Sequence, residues 1–139
     1  MRLSPSGARL AGLRILLVED DEDLRSLLHE WFEKEGASVR STASAACALQ
    51  SLSAEVPSIL VSDVELPDRS GYELVEELRS LPLGVNVPAL AMTGHTRPED
   101  KKRALTAGFD AYAIKPMKLD DLVRLVAKVA AKRSALLRG

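Results

Sequence analysis

A single cysteine, Cys47, excludes an internal disulfide and fits a reducing compartment, so a cytoplasmic location is expected. A lone small apolar residue on a helix needs no redox role. No charge of one sign dominates: 19 Lys and Arg stand against 20 Asp and Glu, a net charge of −1. A dedicated nucleic-acid binder would carry a basic surplus, so nucleic acid is not an expected partner. No apolar stretch approaches the roughly 20 residues needed to span a bilayer, so no membrane association is expected. His29 and His95 lack a second His or Cys at metal-ligand spacing, which argues against zinc. Repeats and low-complexity tracts are missing as well. Met1 to Gly12 carries Arg2 and Arg9 without a continuous apolar segment, so it does not read as a secretory signal. It is expected to be a flexible arm or linker (1–12), followed by one domain (13–132) and a short tail (133–139).

What the chain does have is a core: 46% of its 139 residues are hydrophobic, enough for a single domain of ordinary size. Short apolar runs alternate with helical patterns five times, as in a βα-repeating α/β sheet. Four runs are distinct: Ile15–Val18, Ile59–Ser62, Ala89–Met92 and Ala111–Ile114. Each reads as a buried parallel strand, too short and too evenly apolar for an amphipathic helix. Ser38–Ser41 is a weaker strand. Leu24, Leu27, Leu28, Trp31 and Phe32 predict one wide apolar helix face over about Asp21–Glu35, with Gly36 suited to end it. Ser44 is a candidate N-cap of the next helix, and Pro98 opens a later one with Glu99 and Asp100 in its first turn. The fifth helix begins near Leu119 and buries Leu122, Val123, Val126 and Val129. With five βα units filling the chain, no output domain is expected within it.

Each distinct run ends in a polar residue: the Glu19-Asp20 pair, Asp63, Thr93 and Lys115. In open α/β sheets ligand chemistry collects at the carboxyl ends of the strands. Three carboxylates, a hydroxyl and an ammonium on one rim suit a divalent cation and a phosphoryl group. Glu22 and Asp23 are accounted for by the dipole of a helix start. Glu19 and Asp20 directly follow a buried strand, and a hard cation such as Mg²⁺ would offset their repulsion. Asp63 is either a loop-entry aspartate or a nucleophile able to form an aspartyl phosphate. In the second case a cation and an ammonium must neutralise charge before two anions can meet. A cis Lys115–Pro116 bond would fix the direction of the lysine chain, trans being the default.

These residues, with Leu66-Pro67 and Ser70-Gly71 between them, resemble the receiver domain of two-component response regulators, of the chemotaxis-receiver kind. The resemblance covers about Arg14 to Ala131. It implies a flavodoxin-like (βα)5 doubly wound fold with a five-stranded parallel sheet of order 2-1-3-4-5. It implies that Asp63 accepts a phosphoryl group from a histidine kinase or histidine phosphotransfer protein. Mg²⁺, or Mn²⁺ in its place, would be held by Glu19, Asp20, Asp63 and the backbone carbonyl of Glu65, with Glu19 acting directly or through water. Lys115 would pair with phosphoryl oxygens and Thr93 would hydrogen-bond to one. Thr93 and Tyr112 would form the switch, altering the face of helix 4, strand 5 and helix 5 for an unknown downstream protein. Such a chain would be a monomer or a phosphorylation-dependent dimer. It would not be an enzyme beyond its own phosphorylation and dephosphorylation. Glu65 and His95, two residues after Asp63 and Thr93, are expected to tune the lifetime of the phosphorylated state, and Gly94 leaves space beside Thr93.

Two other functions fit these residues less well. Asp63-Val64-Glu65 imitates a phosphatase of the haloacid-dehalogenase kind, but there the acidic pair falls late in the chain and here it precedes the nucleophile. A flavin or nucleotide carrier would need Gly, Ser or Thr donors after the first strand; Glu19 to Asp23 are all acidic. Within the resemblance, a stand-alone receiver and a module excised from a hybrid histidine kinase or larger regulator both stay open. Arg9–Leu13 resembles a linker entering such a module.

Overall fold

The structure, a computed structural model, describes residues 9–138, with side chains to residue 131. Among these, five strands alternate with five helices: β1 (Arg14–Val18), α1 (Glu22–Lys34), β2 (Ser38–Thr42), α2 (Ala45–Ala54), β3 (Ile59–Asp63), α3 (Gly71–Ser80), β4 (Ala89–Thr93), α4 (Pro98–Ala107), β5 (Ala111–Ile114) and α5 (Leu119–Arg138). The strands form one parallel sheet of order β2-β1-β3-β4-β5, the flavodoxin-like arrangement expected. Parallel strands buried on both faces explain the unbroken apolar runs. Side chains alternate along β1: Ile15 and Leu17 meet α1 and α5 through Leu28, Phe32, Val123 and Val126. Leu16 and Val18 point to the other layer, against Ala48, Leu52, Leu74, Val75, Leu78 and Ala104.

Local signals place the helix ends. Asp21 caps α1 by accepting from the Leu24 N–H at 3.0 Å, and Ser44 caps α2 by accepting from Cys47 at 3.2 Å. Ser70 and Glu73 form a reciprocal capping box on α3. Gly36 follows α1 with φ of +97°, the left-handed turn that favours glycine. Two burial expectations need correction, one on a helix and one on a strand. Leu27 is 46% exposed, so the buried face of α1 is narrower than its spacing implies. On β5 only Ala113 is buried and Ile114 is 41% exposed, because β5 is an edge strand.

Of the expected arm 1–12, residues 1–8 lie outside the described residues, as do the side chains of the tail. Residues 9 and 10 are packed on the domain instead of forming a free linker. Leu10 is fully buried in the α1/α5 core and donates its N–H to the Glu35 carbonyl at 2.8 Å. The Arg9 guanidinium grips the buried Glu35 carboxylate at 2.9 and 3.1 Å and reaches Asp120 on α5 at 2.5 Å.

Asp68, in the loop after β3, accepts from the Ala45 and Ala46 N–H groups at 3.0 and 2.9 Å, binding that loop to the start of α2. Those N–H groups hold its carboxyl below the usual carboxylate value. A depressed value stabilises the fold above the unfolded pKa, and that contribution is lost as pH falls through the folded one. Asp68→Ala should therefore melt below wild type at neutral pH, the gap closing below about pH 4. Melting scans across pH check this; a gap that does not narrow as pH falls below about 4 contradicts it.

Candidate functional site

Strand register brings the expected residues together. Val18 pairs with Ser62, so Glu19 and Asp63 are the next residues on neighbouring strands. Thr93 pairs with Ile114, so Lys115 leaves the sheet beside them, its N–H bonded to the Thr93 carbonyl at 2.7 Å. The Lys115–Pro116 bond is cis. Lys115 Nζ donates to Glu19 Oε1 at 2.7 Å and to Asp63 Oδ2 at 2.9 Å. Asp63 Oδ1 accepts from the Glu65 N–H at 3.1 Å, and Glu19 Oε2 accepts from the Asp21 N–H at 3.1 Å.

Glu19 does not sit open on the rim; it is buried, while Asp20 is exposed. Burial raises the Glu19 carboxyl above its ordinary value, although Lys115 and the Asp21 N–H pull the other way. Burial alone would lower the Lys115 ammonium, but hydrogen bonds to Glu19 and Asp63 outweigh it and hold lysine above its usual value. One oxygen each from Glu19, Asp20 and Asp63 lie within 4.8 Å of one another. Two carboxylates that close repel by roughly 3–4 kcal/mol at an effective dielectric near 20. A single ammonium cannot neutralise three of them. The donor set is all oxygen and short two positive charges, which fits Mg²⁺.

Thr93 Oγ1 accepts from the His95 N–H at 2.9 Å. His95 Nε2 lies 3.1 Å from Glu65 Oε1, so the two flanking residues meet each other across the β3 and β4 loops. Tyr112 is half-buried, with the Lys101 ammonium 5.4 Å from its ring centre. A Cβ on Gly94 would meet open space. Gly71 is different: a Cβ there would fall 2.2 Å from the Asp63 carbonyl oxygen. Only glycine permits α3 to start against the end of β3. The sequence offered Ser70-Gly71 as a motif but not this close approach.

The family profile for the response regulator receiver domain matches residues 15–127. The chain belongs to that family. The receiver domain is similar to an uncharacterized 14.6 kDa protein of Leptolyngbya boryana, 45% identical over 84% of this chain and 89% of that one. It is 32% identical to the response regulator SaeR of Staphylococcus epidermidis over 86% of this chain, and spans only about half (51%) of that protein's length. Among solved structures it resembles the receiver domain of the Pseudomonas aeruginosa sensor histidine kinase PA1611, with a TM-score of 0.80, 29% identity and coverage of 87% and 99%. That structure carries a magnesium ion coordinated in its active site cleft. No helix of the described receiver domain is long and apolar enough to cross a membrane.

Proposed function

We propose that this receiver domain takes a phosphoryl group onto Asp63 from the phosphohistidine of a histidine kinase or phosphotransfer protein, in a cytoplasmic two-component pathway. An Asp63 oxygen forms the new bond to phosphorus, the phosphorus–nitrogen bond breaks, and the electron pair stays with the donor imidazole. Glu19, Asp20, Asp63 and the Glu65 carbonyl would hold Mg²⁺, with Mn²⁺ as a substitute. The cation supplies charge neutralisation between the carboxylate and the incoming phosphoryl oxygens. Lys115, already on Asp63 Oδ2, would supply a second positive charge to the same carboxylate. The observation that carries this reading is the Lys115 bridge between Glu19 and Asp63 beside the three-carboxylate cluster. Intact mass after incubation with Mg²⁺ and acetyl phosphate tests it: one added phosphoryl group is expected, and none with Mg²⁺ chelated. A mass that never changes contradicts it.

A phosphoryl group near −2 charge is enough to redirect Thr93, whose hydroxyl still has a proton to donate. Movement of Thr93 releases space for Tyr112 and alters the α4–β5–α5 face for a downstream protein or a second copy. Both the free-standing and the excised-module forms accommodate this chemistry. The Glu65–His95 pair, 3.1 Å apart and two residues after Asp63 and Thr93, would restrain the water that attacks the phosphoryl group. Glu65→Ala and His95→Ala should each shorten the phosphorylated lifetime severalfold. Following phosphoryl loss over time measures it; unchanged lifetimes in both variants discard this role.

A further inference from the structure

We infer that Arg25 is a positioning residue for the cation site, acting through the backbone of the β1–α1 turn. This rests on the reading of Glu19, Asp20 and Asp63 as cation ligands. Arg25 Nη1 donates to the Glu19 carbonyl at 2.9 Å and to the Asp20 carbonyl at 3.4 Å. Its N–H donates to the Asp21 carbonyl at 2.8 Å. That last bond is the helix's own; the Arg25 side chain itself, in the second turn of α1, touches the two peptide units that carry Glu19 and Asp20.

Glu19 and Asp21 have other restraints. The Glu19 N–H donates to Thr42 O at 3.0 Å and its carboxylate holds Lys115 and the Asp21 N–H. The Asp21 carboxylate caps α1. Asp20 has no such support: among the described residues nothing hydrogen-bonds its carboxylate, and that side chain is exposed. Its direction follows from its backbone, and the side-chain contact on that backbone is Arg25. Partners that orient ligands in this way typically matter 10- to 100-fold in metal affinity.

The competing account is that Arg25 merely offsets the charge of five consecutive acids, Glu19 to Asp23. The two accounts predict opposite signs. Removing a nearby positive charge by itself tightens cation binding; removing an orienting contact weakens it. Arg25→Met deletes both charge and donors, while Arg25→Gln keeps a neutral donor on a side chain two atoms shorter.

The test is Mg²⁺ titration by calorimetry on wild type, Arg25→Met and Arg25→Gln, with melting temperatures and acetyl-phosphate labelling alongside. Arg25→Met should bind Mg²⁺ roughly tenfold more weakly, and Arg25→Gln should recover part of that loss. The labelling rate of both at saturating Mg²⁺ should return close to wild type, which a general loss of structure would not allow. Wild-type binding with equal or tighter binding by both variants overturns this inference alone. Wild type that binds no Mg²⁺ overturns the reading of the site itself.

Discussion

Asp63→Asn is expected to gain no phosphoryl group under conditions that label wild type completely, a loss of at least ~100-fold in rate. The amide oxygen can still accept from the Glu65 N–H, and Lys115 keeps Glu19, so the loop and rim should stay in place. What disappears is the anionic oxygen that now holds Lys115 Nζ at 2.9 Å. A neutral amide is a poor nucleophile toward phosphorus and a weaker cation ligand. Mass spectrometry of the intact variant, with a melting scan to establish folding, measures this. Folded Asp63→Asn that labels at the wild-type rate would place the acceptor elsewhere. Sustained multi-turnover hydrolysis of simple phosphate esters by wild type would instead revive the phosphatase reading.

Arg79→Ala should produce the largest loss of stability, at the opposite end of the sheet from Asp63. The side chain leaves α3 half-buried and donates to the Gly108 carbonyl at 3.0 and 2.7 Å, to Gly84 at 2.9 Å and to Val87 at 2.5 Å. It also pairs at 3.1 Å with Asp110, whose same oxygen accepts from the Ala89 N–H at 2.9 Å. One guanidinium therefore ties α3, the loop before β4, and the α4–β5 turn. Truncation removes these charge-assisted bonds together and should cost about 3 kcal/mol or more. Arg79→Lys should recover little, because an ammonium does not reproduce the planar fork. Urea unfolding measures the effect; a change below ~1 kcal/mol contradicts the clamp. Labelling per folded molecule should be unaffected, which separates this variant from Asp63→Asn.

Strands buried on both faces announce themselves as unbroken apolar runs, and the residue that follows each run falls at the carboxyl end of the sheet, where the proposed site lies. Glu19, Asp20, Asp63, Thr93 and Lys115 were legible for that reason. Caps were legible too, since Ser44 and Pro98 act within a few residues of themselves. Periodicity could not report that Leu27 faces solvent or that β5 lies at an edge, because exposure depends on what else packs there. The burial of Glu19 was hidden by its charge. Long-range ties left no sequence signal. Arg9 meets partners 26 and 111 residues away, and Arg25 and Arg79 act largely on backbone carbonyls, which every residue has. Asp68 read as a loop residue because its partners are N–H groups 22 and 23 residues earlier.

The central claim is that acids from β1 and β3 share one cation while Asp63 stays available for phosphorus. A crystal structure grown with Mg²⁺ and beryllium fluoride, a phosphoryl mimic, tests it most directly. The expected result is one cation, with oxygens about 2.1 Å away from Asp20, Asp63 and the Glu65 carbonyl, and the mimic on Asp63 facing Lys115 and Thr93. A cation bound elsewhere, or a mimic that leaves Asp63 bare, would contradict it.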